Sequence, residues 1–315
     1  MQHVRRTPGG GLTKLPAFSY SLAMRNSSCA ILAALLGASV VQAADEGPTK
    51  WAYSVTPYAN NAFSADVGDE SMSVFRSGAT FRGFGPVSRG VFLSFTSQAE
   101  YSRYDFDEPS SLFGSNAPDD GLFVELQPAG AVYVNEDLGF YAGLTLDYGS
   151  DLHAKLSDSL TYGGFVGVNY QVAKDVWIGG GVGVISKFED DPIFYPLLNI
   201  DWCITDKLKL DVSGLTGRLT YELTDDWSIF AEGSFELRQY RFGSNGVVPD
   251  GAMADSYIPV GIGVSYTPCD TLTVSLSGGG IFSRQVEVFD DSDHSLAKLD
   301  GDTAVYAAAN VKWSF

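Results

Sequence analysis

The sequence has few of the residues that enzyme and metal sites usually require. It contains three cysteines and three histidines in 315 residues, and it has no Cys-x-x-Cys pair or Cys/His spacing typical of a metal site. Basic residues are also scarce, at 20 Lys and Arg against 38 Asp and Glu. This balance disfavours a groove for nucleic acid. We therefore expect no nucleic-acid partner, no cofactor, no metal centre and no enzymatic activity.

Long hydrophobic segments are missing as well. The main apolar run, 30–41, is too short to cross a membrane as a helix. Residues 1–43 hold four basic residues and no acidic ones, and the run ends in Val-Gln-Ala before Ala44. These features predict a secretory signal peptide in 1–43, cleaved after Ala43. Met24 is an alternative start of the chain, and 44–315 is predicted to be the mature domain.

Apolar and polar residues alternate with period two along most of the mature chain, and no segment has a convincing helical pattern. Clear examples are 91–102, 227–240 and 272–283. Many such runs reach ten residues, which is the length a β-strand needs to cross a membrane. We predict an all-β fold, an antiparallel up-and-down transmembrane barrel of about 14 strands. A count of 12 stays open because the segments between 194 and 223 are short.

The predicted connections alternate in length. Short turns lie at 135–138, 173–175, 205–207, 224–226 and 267–270, and long polar loops lie at 106–121, 243–256 and 289–303. Segments 61–70, 149–158 and 187–194 are intermediate. Short turns at one end and long loops at the other are the arrangement of outer-membrane barrels.

All five tryptophans lie near a predicted short turn or a chain end, where aromatic rings suit the membrane boundary. The alternation puts four of them on the apolar face. These predicted girdle residues are Trp51, Trp202, Trp227 and Trp313. Trp177 does not follow the pattern, because Val176 and Ile178 belong to the apolar set of its strand.

The last residues, VYAAANVKWSF, alternate up to a final aromatic residue. Together with the signal peptide, the strands and the loops, they resemble the ends of Gram-negative outer-membrane β-barrel proteins, and the uncharacterised porin-like barrels are the nearest subgroup. The resemblance covers 44–315. It implies that Val311, Trp313 and Phe315 form a signal for the barrel-assembly machinery. It also implies location in the outer membrane, among lipid and lipopolysaccharide.

Charged residues on the polar face of the strands must line a lumen, because lipid would not accept them. The predicted lumen-lining residues are Glu100, Glu125, Asp201, Lys209, Asp211, Glu222, Glu232, Glu236, Arg238 and Lys312. Most are carboxylates, which favour cations. The residues predict a passive channel for small solutes or ions.

Two other functions stay open. A closed structural or surface-interaction barrel would act through its acidic loops, which contain Asp107, Glu108, Asp191, Asp291 and Asp293, and these loops could hold divalent cations. A hydrolase is a remote alternative, because the Asp290–His294 run has suitable residue types but all in one loop. The cysteines left after export, Cys203 and Cys269, are expected about four strands apart, which disfavours a disulfide.

Overall fold

The structure is a computed structural model that describes residues 50–106, 119–245, 248–292 and 294–315. The predicted signal peptide, 1–43, lies outside the described residues, as do Asp107, Glu108 and Asp293. The alternating segments form long strands, since period two places apolar side chains on one face and polar ones on the other. The strand segments are β1 Ala52–Val67, β2 Glu70–Ser88, β3 Val91–Phe106, β4 Asp120–Tyr133, β5 Leu138–Ser150, β6 Leu160–Ala173, β7 Val176–Ile185, β8 Ile193–Cys203, β9 Leu208–Gly214, β10 Thr216–Glu222, β11 Trp227–Ser234, β12 Glu236–Arg241, β13 Ala252–Cys269, β14 Leu272–Phe289, β15 Ser295–Gly301 and β16 Ala304–Ser314.

These sixteen segments form a closed barrel of fourteen wall strands. Segments β11 and β12 are one strand interrupted at Phe235, because both pair with β13. Segments β15 and β16 are likewise one strand, because both pair with β14. The last segment pairs with the first, for example Ala309 with Ala59, and this closes the wall. The predicted all-β barrel with 14 strands is therefore confirmed.

The turns at one end of the barrel are short, as predicted, and we call this the short-turn end. The opposite, long-loop end differs from the expectation in three places. Strand β1 extends to Val67 and β2 begins at Glu70, so most of 61–70 is strand. Strand β13 begins at Ala252, inside the predicted loop 243–256. Segment β15, Ser295–Gly301, occupies much of the predicted loop 289–303. The sequence predicts loops in these stretches because polar residues interrupt the apolar alternation in each of them.

Several wall strands are interrupted at one level of the barrel. The pairing of β1 with β2 shifts between Ala62 and Ala65, and that of β13 with β14 shifts at Ser283. The breaks at Phe235 and at 302–303 lie beside these shifts. Bulges bend strands and change their twist. Because neighbouring strands bend together, this side of the barrel narrows towards the long-loop end.

Above the bends, β12 leaves the outer wall and crosses to the opposite side. Its Arg241 pairs in parallel with Ser150 of β5. Gly121 and Gly149 permit this approach: a Cβ atom would lie 2.5 Å from the Tyr240 ring at Gly121 and 1.8 Å from the Gln239 carbonyl oxygen at Gly149.

The narrowed part encloses a packed apolar core, which we call the upper core. Its residues come from both ends of the chain and from β12. They are Ala62, Val67, Met72, Val74, Tyr104, Phe106, Phe123, Tyr240, Phe242, Val248, Met253, Tyr257, Ile281, Val286, Val288, Ala304 and Tyr306. A filled upper core means that the barrel is not an open tube at its long-loop end.

The C-terminal strand closes the barrel through its last residue. The backbone N–H of Phe315 donates to the Tyr53 carbonyl at 2.9 Å, and the Tyr53 N–H donates to the Phe315 carbonyl at 3.0 Å. The two rings stack with centroids 6.0 Å apart. Phe315 and Trp313 are 67% and 62% exposed on the outer face.

Deletion of Phe315 is expected to reduce the yield of folded barrel. It removes two backbone hydrogen bonds, each worth about 0.5–1.5 kcal/mol, and a ring pair worth about 0.5–1.5 kcal/mol. The folded fraction on unheated gels and the urea midpoint measure the loss. Phe315→Leu is the control, because it keeps the backbone bonds and should lose less. A normal folded yield after the deletion would contradict this account of closure.

Candidate functional site: the barrel interior

All ten charged residues predicted to line the lumen lie on the interior face of their strands. The alternation places Glu100 on β3, Glu125 on β4, Asp201 on β8, Lys209 and Asp211 on β9, Glu222 on β10, Glu232 on β11, Glu236 and Arg238 on β12 and Lys312 on β16. Further interior charged groups were missed from the sequence, among them Arg76, Arg82, Asp147, Arg218, Asp255 and Arg284. The two arginines of β2 have the same period-two signal as the predicted set, whereas Asp255 lies in a segment predicted to be a loop.

The most buried charges form a network at the floor of the upper core. Asp255 is fully buried. Its carboxylate accepts hydrogen bonds from Arg76 Nη2 at 2.7 Å and from Arg284 Nε and Nη2 at 3.0 and 2.7 Å. The guanidinium of Arg76 also lies 4.9 Å from the centre of the Tyr257 ring. Charge-assisted hydrogen bonds of this kind are strong, and they offset the cost of burial.

Glu100 connects this network to β12. Its Oε1 accepts a hydrogen bond from Arg238 Nε at 2.9 Å and lies 3.7 Å from Arg76 Nε. Its Oε2 accepts a hydrogen bond from the Tyr58 hydroxyl at 2.8 Å. Arg238 also donates to Glu236 at 3.0 Å. These contacts hold β12 in the interior, against β1, β2 and β3.

A second set of ion pairs lies nearer the short-turn end. Lys209 is 3.2 Å from Asp201 and 2.8 Å from Asp211. Arg218 is 3.2 Å from Glu232, and its guanidinium lies 3.5 Å from the centre of the Phe230 ring. Phe230 therefore faces inward, which explains why it breaks the apolar alternation of its strand.

A cavity of about 270 Å³ lies in the interior below the charged network. Its lining combines charged side chains with aromatic and aliphatic ones and comes from widely separated strands. The lining includes Tyr58, Gln98, Glu100, Glu232, Arg238 and Tyr306. Arg76, Glu100 and Arg238 of the network form part of its lining, so the cavity borders the network.

The short-turn mouth has an interior aromatic wall. Phe84 and Phe92 stack with centroids 5.6 Å apart. Tyr133 meets Phe92 edge-on at 5.8 Å and Trp177 edge-on at 6.0 Å. Trp177 is 6% exposed, so it belongs to the interior and not to the girdle. In the sequence, Trp177 lies between Val176 and Ile178 of the apolar set, and this departure from the alternation is what indicates its interior position.

The other four tryptophans lie on the outer face at the short-turn end. Their exposed fractions are 40% for Trp51, 41% for Trp202, 45% for Trp227 and 62% for Trp313. The cysteines Cys203 and Cys269 are free and exposed, as expected. Among the described residues, no group of three or more His, Cys, Asp and Glu is arranged to hold a metal ion.

The acidic loop residues mostly have partners within their own loops. Asp190 pairs with Lys187, and Glu189 reaches Arg241 of β12. Backbone N–H groups of His294 and Ser292 donate to Asp290 and lower the pKa of its carboxyl. His294 Nδ1 lies 3.2 Å from Asp290, while His153 Nδ1 lies 2.9 Å from the carbonyl oxygen of Asp151. The two histidines therefore sit in separate local turns.

Residues 138–314 match the model of a family described as a domain of unknown function, DUF6268. The match covers more than half of the sequence. The chain belongs to this family. Comparison with curated proteins gives no match. No helix in the described parts of the chain is long and apolar enough to span a membrane.

Solved structures with a similar fold are outer-membrane channels and porins. A Pseudomonas aeruginosa FadL homologue has a TM-score of 0.50 and 12% identity, over 90% of this chain and 93% of that chain. The Pseudomonas putida toluene transporter TodX has a TM-score of 0.40 and 11% identity, over 90% and 93%. The KdgM porin has a TM-score of 0.31 and 10% identity, over 82% and 99%. At these identities the likeness concerns the fold alone.

Replacement of Asp255 by Asn is expected to destabilise the barrel strongly. It leaves Arg76 and Arg284 buried without a full counter-charge, and breaking a buried ion pair costs about 3–5 kcal/mol. Urea unfolding in detergent or lipid vesicles measures the change. Glu232→Gln is the matched control, since its pair with Arg218 is partly exposed and should cost at most about 1 kcal/mol. Equal stability of the two variants would contradict the role assigned to Asp255.

Proposed function

We propose that the protein is an outer-membrane channel for small hydrophilic solutes or ions, held closed at its long-loop end by β12. The proposal rests on the interior cavity of about 270 Å³, whose lining includes Glu100, Glu232 and Arg238. A purely structural barrel has no need of a water-accessible polar chamber. The position of Arg238, which binds both Glu100 and Glu236, makes β12 the element that would move during opening.

The chain would reach the outer membrane through the predicted signal peptide and the barrel-assembly machinery. The exposed aromatic end, with Val311, Trp313 and Phe315, supports this route. Outward apolar side chains would contact lipid, and the long-loop end would face the cell exterior, where acidic loops could meet lipopolysaccharide and its divalent cations.

A permanently closed barrel is the competing function, and the buried Asp255 network favours it. Charged groups with full hydrogen bonding hold one arrangement strongly. Under this alternative the loops perform the function and the interior gives rigidity only.

Arg238→Ala distinguishes the two functions. Loss of its hydrogen bonds frees β12 from Glu100, so a gated channel should show single-channel conductance at least about twofold larger or open far more often than the wild type. Refolded protein in planar bilayers provides the measurement. Arg103→Ala, on the outer face of β3, is the control and should behave as the wild type. If neither the wild type nor Arg238→Ala conducts, the protein is a closed barrel.

A further inference from the structure

Two interior carboxylates stand apart from every ion pair of the barrel. Glu125 of β4 and Asp147 of β5 are directly opposite in the antiparallel register. Like charges in this position repel, with Cβ atoms about 4.5–5.5 Å apart. Among the described residues, neither carboxylate has a basic side chain within 4 Å. The pair therefore places up to two negative charges together without a direct counter-ion.

Of the two residues, Asp147 has the more unusual environment. Its side chain points inward and the residue is only 7% exposed. Its Oδ1 atom is buried and has no hydrogen-bond partner. A buried carboxylate oxygen without a partner is costly, so a proton, a water molecule or a bound cation must satisfy it.

The nearby basic groups are engaged elsewhere or too distant. Arg82 of β2 lies opposite Thr96 of β3, whereas Glu125 lies opposite Gln98 of β3, so β3 separates the two side chains. Arg238, however, donates its hydrogen bonds to Glu100 and Glu236. Glu236 adds a further negative charge near Glu125. The other interior carboxylates of the described residues lie within 4 Å of an arginine or lysine, except Glu222, which is exposed near the short-turn end. The Glu125–Asp147 pair therefore differs from them in being buried without a close basic partner.

The surroundings of the pair offer oxygen donors. Thr145 lies one interior position from Asp147 along β5, and its hydroxyl accepts from Gln127 Nε2 at 3.5 Å. The Tyr195 side chain extends from β8 across Gly183, where a Cβ atom would lie 2.3 Å from its ring. Tyr195 lies on the same face of β8 as Asn199 and Asp201, which is the interior face. A site built from carboxylate and hydroxyl oxygens suits a hard cation such as Ca²⁺ or Mg²⁺.

We propose that Glu125 and Asp147 bind a hard divalent cation inside the lumen, with Tyr195 and Thr145 at its edge. The inference deepens the proposed channel function, on which it rests, by assigning hard cations as a solute class. Two protein carboxylates, with neutral oxygens and water completing the shell, make a site that releases its ion, as conduction requires.

The test is Ca²⁺-dependent stability of the refolded barrel, wild type against the double variant Glu125→Gln/Asp147→Asn. The substitutions keep side-chain size and remove both charges, so the barrel should fold. A ligand that binds only the folded state raises the unfolding midpoint. Ca²⁺ should raise the urea midpoint of the wild type and leave that of the double variant unchanged. Asp270→Asn, in an exposed short turn, is the control and should respond as the wild type.

Tb³⁺ luminescence sensitised by tyrosine gives a second readout of the same site. The double variant should bind Tb³⁺ at least about tenfold more weakly than the wild type, because the site loses both charged ligands. In bilayers, Ca²⁺ should block potassium current through the wild type and not through the double variant.

The possible results distinguish failure of the cation site from failure of the channel function. An equal Ca²⁺ shift and equal Tb³⁺ affinity in the wild type and the double variant would overturn the cation site. Loss of both effects in the double variant, with no current from either protein, would keep the site and reject the channel. Loss of both effects together with relief of Ca²⁺ block would support both proposals.

Discussion

The carboxylate of Asp255 is the contact on which the long-loop end of the barrel depends. It joins Arg76 of β2 to Arg284 of β14 at 2.7 Å from each, and Arg76 continues to Glu100. These strands come from both halves of the chain, so one buried charge connects the N-terminal and C-terminal sides of the interior. The same group of charges includes Arg238, which holds β12 away from the wall. The network contacts the upper core through Arg76, which lies over the Tyr104 and Tyr257 rings, and it borders the cavity through Glu100 and Arg238.

The outer surface of the barrel could be predicted from the sequence because its side chains follow a simple alternation. Every second residue of a wall strand is apolar, and this alternation predicts most of the strands, a count of 14 or 12, and the outward direction of Trp313 and Phe315. The predicted interior charges also face inward, since alternation assigns them automatically. Lys209 of β9, for example, lies close to Asp201 of β8 and to Asp211 of its own strand. The alternation predicts the face on which these residues lie but not which of them pair.

The upper core could not be predicted because two-sided burial removes the alternation. Ala252, Met253, Ala254 and Asp255 are consecutive and all are buried, so this part of β13 has no apolar and polar face. The faces of β12 could not be predicted for the same reason, since the consecutive residues Gln239 and Tyr240 are both buried. Bulges such as the one at Ser283 also reverse which residues face inward. The inward bending of a strand depends on contacts with segments far apart in the sequence. The alternation of apolar and polar residues within one strand does not reveal these contacts.

The central claim is that β12 crosses the interior and lies against β5. A cysteine pair at Ser150 and Arg241, introduced as Ser150→Cys/Arg241→Cys with Cys203 and Cys269 replaced by Ser, tests it most directly. These positions are register partners across the β12–β5 contact, so we expect a disulfide to form in most of the folded barrel under mild oxidation. The extent of cross-linking on non-reducing gels is the measurement. A folded barrel in which this pair does not cross-link would contradict the account.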